Sequence, residues 1–261
     1  MKDSFGDRMK AYERKYAGTR LPTDGVICVR IDGKGFSKFT QHLEKPFDGR
    51  FSEAMIHTTE YLMEKTQALA GYVQSDEISL ILPVDVGESM FGGKLAKINS
   101  IFASWATGAF VTHLVENQWL DTNNIPAFDC RVWTVPKLYE GANTILWRIQ
   151  DCQRNAVSMA YHWTVKKKMK GLDQKDMRKG FKEKHGKTLE EVYSDTFMYG
   201  TLFVKENEHA EIPDDVWEKI PDKNKPESKY YSRRVVIRKN VEDFTKLSSY
   251  DRTCMIFGRG D

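Results

Sequence analysis

Two short acidic segments contain the residues whose types and spacing best suggest chemistry. Asp32 follows the apolar run 25–31, and Asp76 and Glu77 lie between two further apolar runs. Carboxylates from separate segments can hold two divalent ions about 4 Å apart, which neutralise phosphate charge and align an attacking oxygen with its leaving group. Mg²⁺ suits such a site because it prefers one or two protein carboxylates together with water and substrate phosphates. The pattern predicts phosphoryl or nucleotidyl transfer, with Asp32 and Asp76 as ligands and Glu77 in support.

A glycine-containing loop follows the first aspartate. Gly33 and Gly35 let backbone N–H groups approach a triphosphate, and Lys34 adds positive charge. The same segments also have a purely structural interpretation. Asp-Gly after a strand is common turn chemistry, and Ser-Asp-Glu between strands is an ordinary hairpin tip. Spacing alone leaves both interpretations open.

Other catalytic templates are missing from the sequence. It contains no G-x-x-x-x-G-K-[ST] loop, no G-x-S-x-G elbow and no H-E-x-x-H pair, and its six histidines have no metal-binding spacing. The four cysteines lie far apart without a C-x-x-C pair, which favours free thiols in a reducing compartment. The charged first residues do not resemble a signal peptide, and no apolar run approaches a membrane span. We therefore expect a cytoplasmic protein without membrane contact.

The apolar patterning predicts the elements that position the acidic segments. Strands are expected at 25–31, 70–74, 78–82 and 128–134, with one helix after Asp48 and a second beginning near Leu95. This order, βαββαβ, is that of the ferredoxin-like split βαβ fold. In that topology the first and third strands are neighbours, so Asp32 and Asp76 are expected to meet.

The chain changes character after Pro136. An amphipathic helix is predicted over 145–163, and strands return at 200–204 and 230–238. We expect a palm catalytic domain over 1–136 and, packed on it, a helical and β region over 137–261. The 40 basic and 37 acidic residues give a net charge of +3, which neither requires nor excludes nucleic acid.

Four motifs in the same order resemble the tRNA-His guanylyltransferase family: Arg30-Ile-Asp-Gly-Lys-Gly-Phe36, Lys45-Pro-Phe-Asp48, Tyr72-Val-Gln-Ser-Asp-Glu77 and Trp147-Arg-Ile-Gln-Asp-Cys152. The resemblance covers roughly residues 5–165 and implies an α+β fold, with a ferredoxin-like polymerase/cyclase palm and added C-terminal helices and a small β element. It also implies RNA extension in the 3′-to-5′ direction. ATP first activates the 5′-monophosphate of the RNA, and the 3′-hydroxyl of an incoming NTP then attacks the adenylylated end and releases AMP.

The resemblance implies roles position by position. Two Mg²⁺ ions would be held by Asp32, the Gly33 carbonyl and Asp76, with Glu77 as a supporting catalytic carboxylate. ATP, GTP and other NTPs would be contacted by Arg30, Gly33, Lys34, Gly35, Phe36, Ser37, Lys45, Asp48 and Ser75. The family resemblance also implies a tRNA substrate and a homotetramer.

RNA contacts are expected beyond the palm. On the helix 145–163 the candidates are Arg148, Arg154 and Asn155, although an i,i+3 pair between Arg148 and Asp151 is the structural alternative. The basic run 166–187 begins with Lys166, Lys167 and Lys168, which suit either RNA phosphates or a solvated helix face. The acidic run 206–222 is expected to face away from RNA.

One segment departs from the family pattern. Members that guanylylate tRNA-His carry His-Ile-Asn-Asn-x-x-Asn-Thr, whereas residues 153–160 here read Gln-Arg-Asn-Ala-Val-Ser-Met-Ala and keep only Asn155. Phe47 also stands where the family commonly has Asn. The departure favours the guanylyltransferase-like branch, which repairs tRNA 5′ ends by adding whichever NTP pairs with the template. Guanylylation of tRNA-His, a nucleotide cyclase and a palm-fold RNA-binding protein without catalysis are the alternatives.

Overall fold

The computed structural model describes residues 4–22, 24–83, 90–165 and 170–260. Its strands form one six-stranded sheet in the order β4-β1-β3-β2-β5-β6, and every neighbouring pair is antiparallel. The strands are β1 (Val26–Gly33), β2 (Ala70–Gln74), β3 (Glu77–Ile81), β4 (Phe128–Val135), β5 (Thr201–Glu211) and β6 (Tyr230–Lys239). The predicted neighbours β1 and β3 do pair, so the α+β palm prediction is confirmed.

Helices surround the sheet. In chain order they are α1 (Ser4–Ala17), α2 (Phe36–Phe39), α3 (Gly49–Thr66), α4 (Leu95–Glu116), α5 (Leu138–Val165), α6 (Gln174–His185), α7 (Leu189–Val192), α8 (Asp195–Tyr199), α9 (Asp214–Trp217), α10 (Val241–Lys246) and α11 (Ser249–Phe257). Short 3₁₀ turns occupy Phe91–Gly93 and Asp222–Asn224. Among the described helices, none combines the length and apolarity needed to cross a lipid bilayer.

β1 is buried on both faces, which explains its nearly continuous apolar sequence. Ile27, Val29 and Ile31 pack in the same core cluster as residues of α3 and α4, such as Leu62 and Phe110. Because side chains alternate along a strand, Val26 and Cys28 enter the opposite cluster. That second cluster includes Ile145 and Ile149 of α5, Phe244 of α10 and Ile256 of α11. Most of β1 is therefore packed between two cores.

α5 is longer than the predicted helix, because it begins at Leu138 instead of residue 145. Its first half packs on the sheet, and its second half forms a third apolar cluster with α6 and α8, through residues such as Val157, Phe181 and Phe197. One helix thus runs from beneath the palm to the C-terminal helices. All four cysteines are free thiols, as predicted.

β5 also exceeds its prediction, since it continues to Glu211 instead of ending at residue 204. The extension contains acidic residues, which are uncommon in strands. Two of them form ion pairs with basic residues of β6: Glu208 lies 2.7 Å from Arg233, and Glu206 lies 2.5 Å from Lys239. Opposite charges on paired strands offset the low strand propensity of glutamate. Because β5 also pairs with β2, strands from both predicted regions share the sheet. The boundary near residue 136 stays a prediction.

Candidate active site

The β1–β3 pairing brings the two acidic segments together. Asp32 is the cross-strand partner of Glu77, and the Gly33 N–H donates to the Asp76 carbonyl at 3.0 Å. Asp76 sits at the tip of the β2–β3 hairpin, where Ser75 adopts the left-handed φ of 47° that a tight turn favours. The predicted meeting of Asp32 and Asp76 is therefore present in the structure.

Both aspartates lie where a negative charge is costly. Burial raises the pKa of Asp76 to about 6, and the neighbouring Asp32 carboxylate contributes to the increase. Burial also raises the pKa of Asp32, as does Asp129, while Arg30 works in the opposite direction. Two carboxylates whose charges are costly to keep side by side would be relieved by a cation between them.

The donor set matches the cation that the sequence predicts. Over the described ranges, no three His, Cys, Asp or Glu side chains cluster as a metal-holding group. Two aspartates nevertheless suffice for Mg²⁺, which takes its remaining oxygen ligands from water and substrate phosphates. Asp32 and Asp76 could hold such an ion, and the adjoining Gly33 backbone could supply a carbonyl.

Glu77 is fixed by a buried arginine. Arg148 of α5 donates from Nε to Glu77 Oε1 at 2.5 Å and from Nη2 to Glu77 Oε2 at 2.8 Å. The same Nη2 donates to Asp151 Oδ2 at 2.8 Å, and Arg148 is only 6% exposed. Burial raises the pKa of Glu77, and the Arg148 charge counteracts that increase. The sequence predicted an RNA contact for Arg148, with an i,i+3 pair to Asp151 as the structural alternative. In the structure the guanidinium lies between the carboxylates of Glu77 and Asp151, so the pair with Asp151 is present.

The glycine-containing loop has both buried and exposed residues. The ring of Phe36 is buried and packs on Phe128 with centroids 4.9 Å apart. A Cβ on Gly33 would lie 2.4 Å from that ring, so only glycine fits there. Gly35, with φ 70°, is the N-cap residue of α2, and Lys34 is exposed. Their predicted contacts with triphosphate stay predictions.

The predicted nucleotide residues Lys45 and Asp48 hold the loop that leads into α3. Asp48 caps this helix by accepting from the Arg50 N–H at 3.0 Å, and it also accepts from Arg50 Nη2 at 2.8 Å. Contact with the Arg50 side chain lowers the pKa of Asp48 to about 2. Lys45 Nζ donates to the Thr40 carbonyl at 2.6 Å. Both residues line the cavity described next, so a nucleotide could reach them.

A cavity of about 690 Å³ connects these elements. The hairpin carboxylates lie at one end, beside the Arg148 turn of α5. The other predicted residues that line it are Phe36, Ser37, Lys45, Asp48, Ser75 and Asn155. Arg154 is exposed and pairs with Asp151 at 3.0 Å. The predicted RNA contacts Lys166, Lys167 and Lys168 lie outside the described residues.

The cavity lining also contains a group of apolar side chains that was not predicted. Phe47 packs edge-on against Phe197 of α8, with ring centroids 5.7 Å apart, and Met159 and Trp163 of α5 complete this group. A signal existed for the α5 residues, because their helical spacing continues from Asn155. Phe197 lies in a segment without a motif, so no sequence signal pointed to it.

Comparisons with known proteins agree with this geometry. The family model described as tRNAHis guanylyltransferase (Thg1) matches residues 6–136. The tRNA(His) guanylyltransferase of Debaryomyces hansenii is 28% identical over 235 residues, which span 83% of this chain and 86% of the relative.

Two solved structures are similar as well. A bacterial tRNA(His) guanylyltransferase (Thg1)-like protein in complex with ATP superposes with a TM-score of 0.69 at 32% identity, over 77% of this chain and 88% of its own. A bacterial protein of the same description in complex with GTP superposes with a TM-score of 0.69 at 28% identity. This similarity covers 98% of this chain and 100% of the other. The similarity to the second structure thus extends through the C-terminal region.

Proposed function

Because the chain belongs to the tRNAHis guanylyltransferase family of nucleotidyltransferases, we propose that it adds nucleotides to the 5′ end of tRNA or a tRNA-like RNA in the 3′-to-5′ direction. The observation that carries the proposal is the pairing of β1 with β3, which brings the Asp32 and Asp76 carboxylates together beside a cavity of about 690 Å³. The similar bacterial proteins in complex with ATP and with GTP support nucleoside triphosphates as its substrates.

The reaction has two displacements at phosphorus. In the first, an oxygen of the RNA 5′-monophosphate attacks the α-phosphorus of ATP, and pyrophosphate leaves. In the second, the 3′-hydroxyl of an incoming NTP attacks the 5′-phosphorus of the activated RNA, and AMP leaves as the new phosphodiester bond forms. Each displacement places negative charge near the hairpin, so the site must neutralise charge and keep the attacking and leaving oxygens in line.

The described side chains suit this work. Asp32, Asp76 and the Gly33 carbonyl would hold Mg²⁺, which when bound supplies charge neutralisation at the phosphates. Arg148 holds the Glu77 carboxylate through two hydrogen bonds, which tie the start of β3 to α5. Lys45 and Ser75 face the same cavity and are placed to contact the nucleotide. The preorganisation of these groups is what positions substrates for an in-line displacement.

We favour template-dependent repair, in which any NTP that pairs with the template is added. Beyond Asn155, the α5 wall of the cavity presents Ala156 and Met159, which have no polar side-chain group that could select one base. The family model and the relative from Debaryomyces hansenii favour the second candidate, guanylylation of tRNA-His. From the family resemblance we also propose a cytoplasmic homotetramer, which sedimentation and cell fractionation would test.

The test uses a 5′-monophosphorylated tRNA that lacks its first nucleotide. The protein is incubated with this RNA, Mg²⁺, ATP and all four NTPs, and the 5′ ends are sequenced. Restoration of the missing base in several tRNAs, whichever NTP pairs, supports repair. Addition of G to tRNA-His alone would make the second candidate correct. No addition to any RNA, or a cyclic nucleotide formed without RNA, would contradict both.

A further inference from the structure

One face of α5 lines the cavity over about four helical turns. Its residues there are Arg148, Asp151, Cys152, Asn155, Ala156, Met159 and Trp163, which recur every three or four positions. A helix rises about 1.5 Å per residue, so Met159 lies about 16 Å and Trp163 about 22 Å beyond Arg148 along the axis. The character of the face changes over this distance, from ionic beside Glu77 to apolar at the last turn.

The apolar end of this face is exposed. Most apolar residues of α5 are buried, including Ile145, Ile149 and Val157, but Met159 is 36% exposed and Trp163 is 42% exposed. Single exposed hydrophobic residues are common and need no explanation. These two differ because they lie one turn apart and line the same cavity as the catalytic carboxylates. Such residues suit an apolar ligand that also has a charged end.

A nucleotide chain is such a ligand, since its phosphates are charged and its bases have flat apolar faces. Indole rings stack on bases, and thioether side chains adapt to them. The triphosphate of a single NTP is expected at the carboxylates, whereas Trp163 lies several helical turns further on. RNA is therefore a better match to the length of the face than one NTP.

We propose that Met159 and Trp163 form a stacking platform for a nucleobase near the 5′ end of the RNA substrate. This inference rests on the proposed function, because it takes the 5′ phosphate to lie at the carboxylates. Stacking tolerates every base, since each base has a π face. The platform therefore holds the RNA end in place without selecting its sequence, as an enzyme that repairs different 5′ ends requires.

The experiment measures equilibrium binding of a 5′-monophosphorylated RNA hairpin, without NTPs, by wild type and by W163A, W163F and Y250A. Tyr250 is a matched control because it is an exposed aromatic residue on α11, outside the cavity. Each RNA is also made with an abasic site at the first, second or third nucleotide. The KM values for RNA and for NTP are measured with the same proteins.

We expect wild type to lose roughly 5- to 140-fold in affinity at one abasic position, as stacking of one base predicts. W163A should bind intact RNA more weakly by a similar factor and should no longer distinguish that abasic RNA. W163F and Y250A should behave like wild type, and the KM for NTP should stay unchanged in all variants.

Two results would overturn the platform. The first is equal binding of intact and abasic RNAs by wild type, and the second is a W163A effect on the KM for NTP in place of RNA. If wild type still adds nucleotides in either case, only the platform fails and the proposed function survives. If wild type neither binds nor extends RNA, both fail together.

Discussion

Replacing Arg148 by Gln should destabilise the protein far more than replacing any exposed arginine of the same helix. The Arg148 guanidinium is 6% exposed and makes three hydrogen bonds, two to Glu77 and one to Asp151. Removing one partner of a buried ion pair costs about 3–5 kcal/mol, because the other charge stays buried without compensation. Arg30, whose Nε lies 3.8 Å from Glu77, and Gln74 at 3.4 Å offset part of this loss. We therefore expect Arg148→Gln to lower the free energy of unfolding by about 3 kcal/mol.

Arg154→Gln is the matched control. Arg154 is on the same helix, and its side chain is 52% exposed and contacts only Asp151 among these acids. Exposed pairs contribute about 0–1 kcal/mol, so this variant should unfold almost like wild type. Arg148→Lys keeps the charge but loses the two-pronged contact and should fall between the two.

The assay is urea unfolding followed by tryptophan fluorescence, with midpoints compared at equal slopes. The R148Q deficit should also shrink from pH 8 to pH 5. Without Arg148, only Arg30 and Gln74 counteract the burial that raises the pKa of Glu77, so Glu77 takes up a proton more readily as the pH falls and its poorly paired charge disappears. Equal losses of free energy of unfolding in R148Q and R154Q, or an R148Q deficit that grows as the pH falls, would refute the role of Arg148 in this network.

Three further predictions follow from single contacts. Asp48→Ala should lower the free energy of unfolding by about 1–2 kcal/mol at pH 7, through loss of the α3 cap and the Arg50 pair. Because the folded pKa of Asp48 is about 2, this difference should be complete above pH 4 and vanish as the pH falls towards 2, which acid titrations of both proteins would show. Gly33→Ala should cost about 1–3 kcal/mol in thermal unfolding, because its Cβ would lie 2.4 Å from the Phe36 ring; an unchanged Tm would disprove the contact. Removing divalent ions with EDTA should abolish 5′ nucleotide addition, and added Mg²⁺ should restore the activity. Activity that persists in EDTA would show that the reaction needs no Mg²⁺ at Asp32 and Asp76.

Much of the palm could be predicted because its signals are local. The run 25–31 is apolar except for Arg30 because most of β1 is buried, and the βαββαβ order predicts the ferredoxin-like topology in which β1 and β3 pair. The meeting of Asp32 with Asp76 then follows from topology.

What sequence missed depends on contacts between distant segments. The sequence of α5 alone suggests a surface position for Arg148, because its buried partner Glu77 lies 71 positions earlier in the chain. The extension of β5 to Glu211 depends on basic partners in β6, such as Arg233. Phe197 joins the cavity because α8 packs on α5, and periodicity within either helix carries no information about that packing.

The most direct test of the account is Asp76→Asn, compared with Asp129→Asn. Asp129 is the β4 neighbour of Asp32 and is a carboxylate outside the cavity. For D76N we predict a single-turnover rate of 5′ nucleotide addition at least about 100-fold below wild type, because a metal-holding carboxylate supplies several kcal/mol to the transition state. D129N should stay within a few-fold of wild type. Since burial raises the pKa of Asp76 to about 6, its charge destabilises the metal-free fold above that pH, and D76N should be more stable than wild type at pH 7. A stable D76N protein that adds nucleotides at the wild-type rate would contradict the central claim.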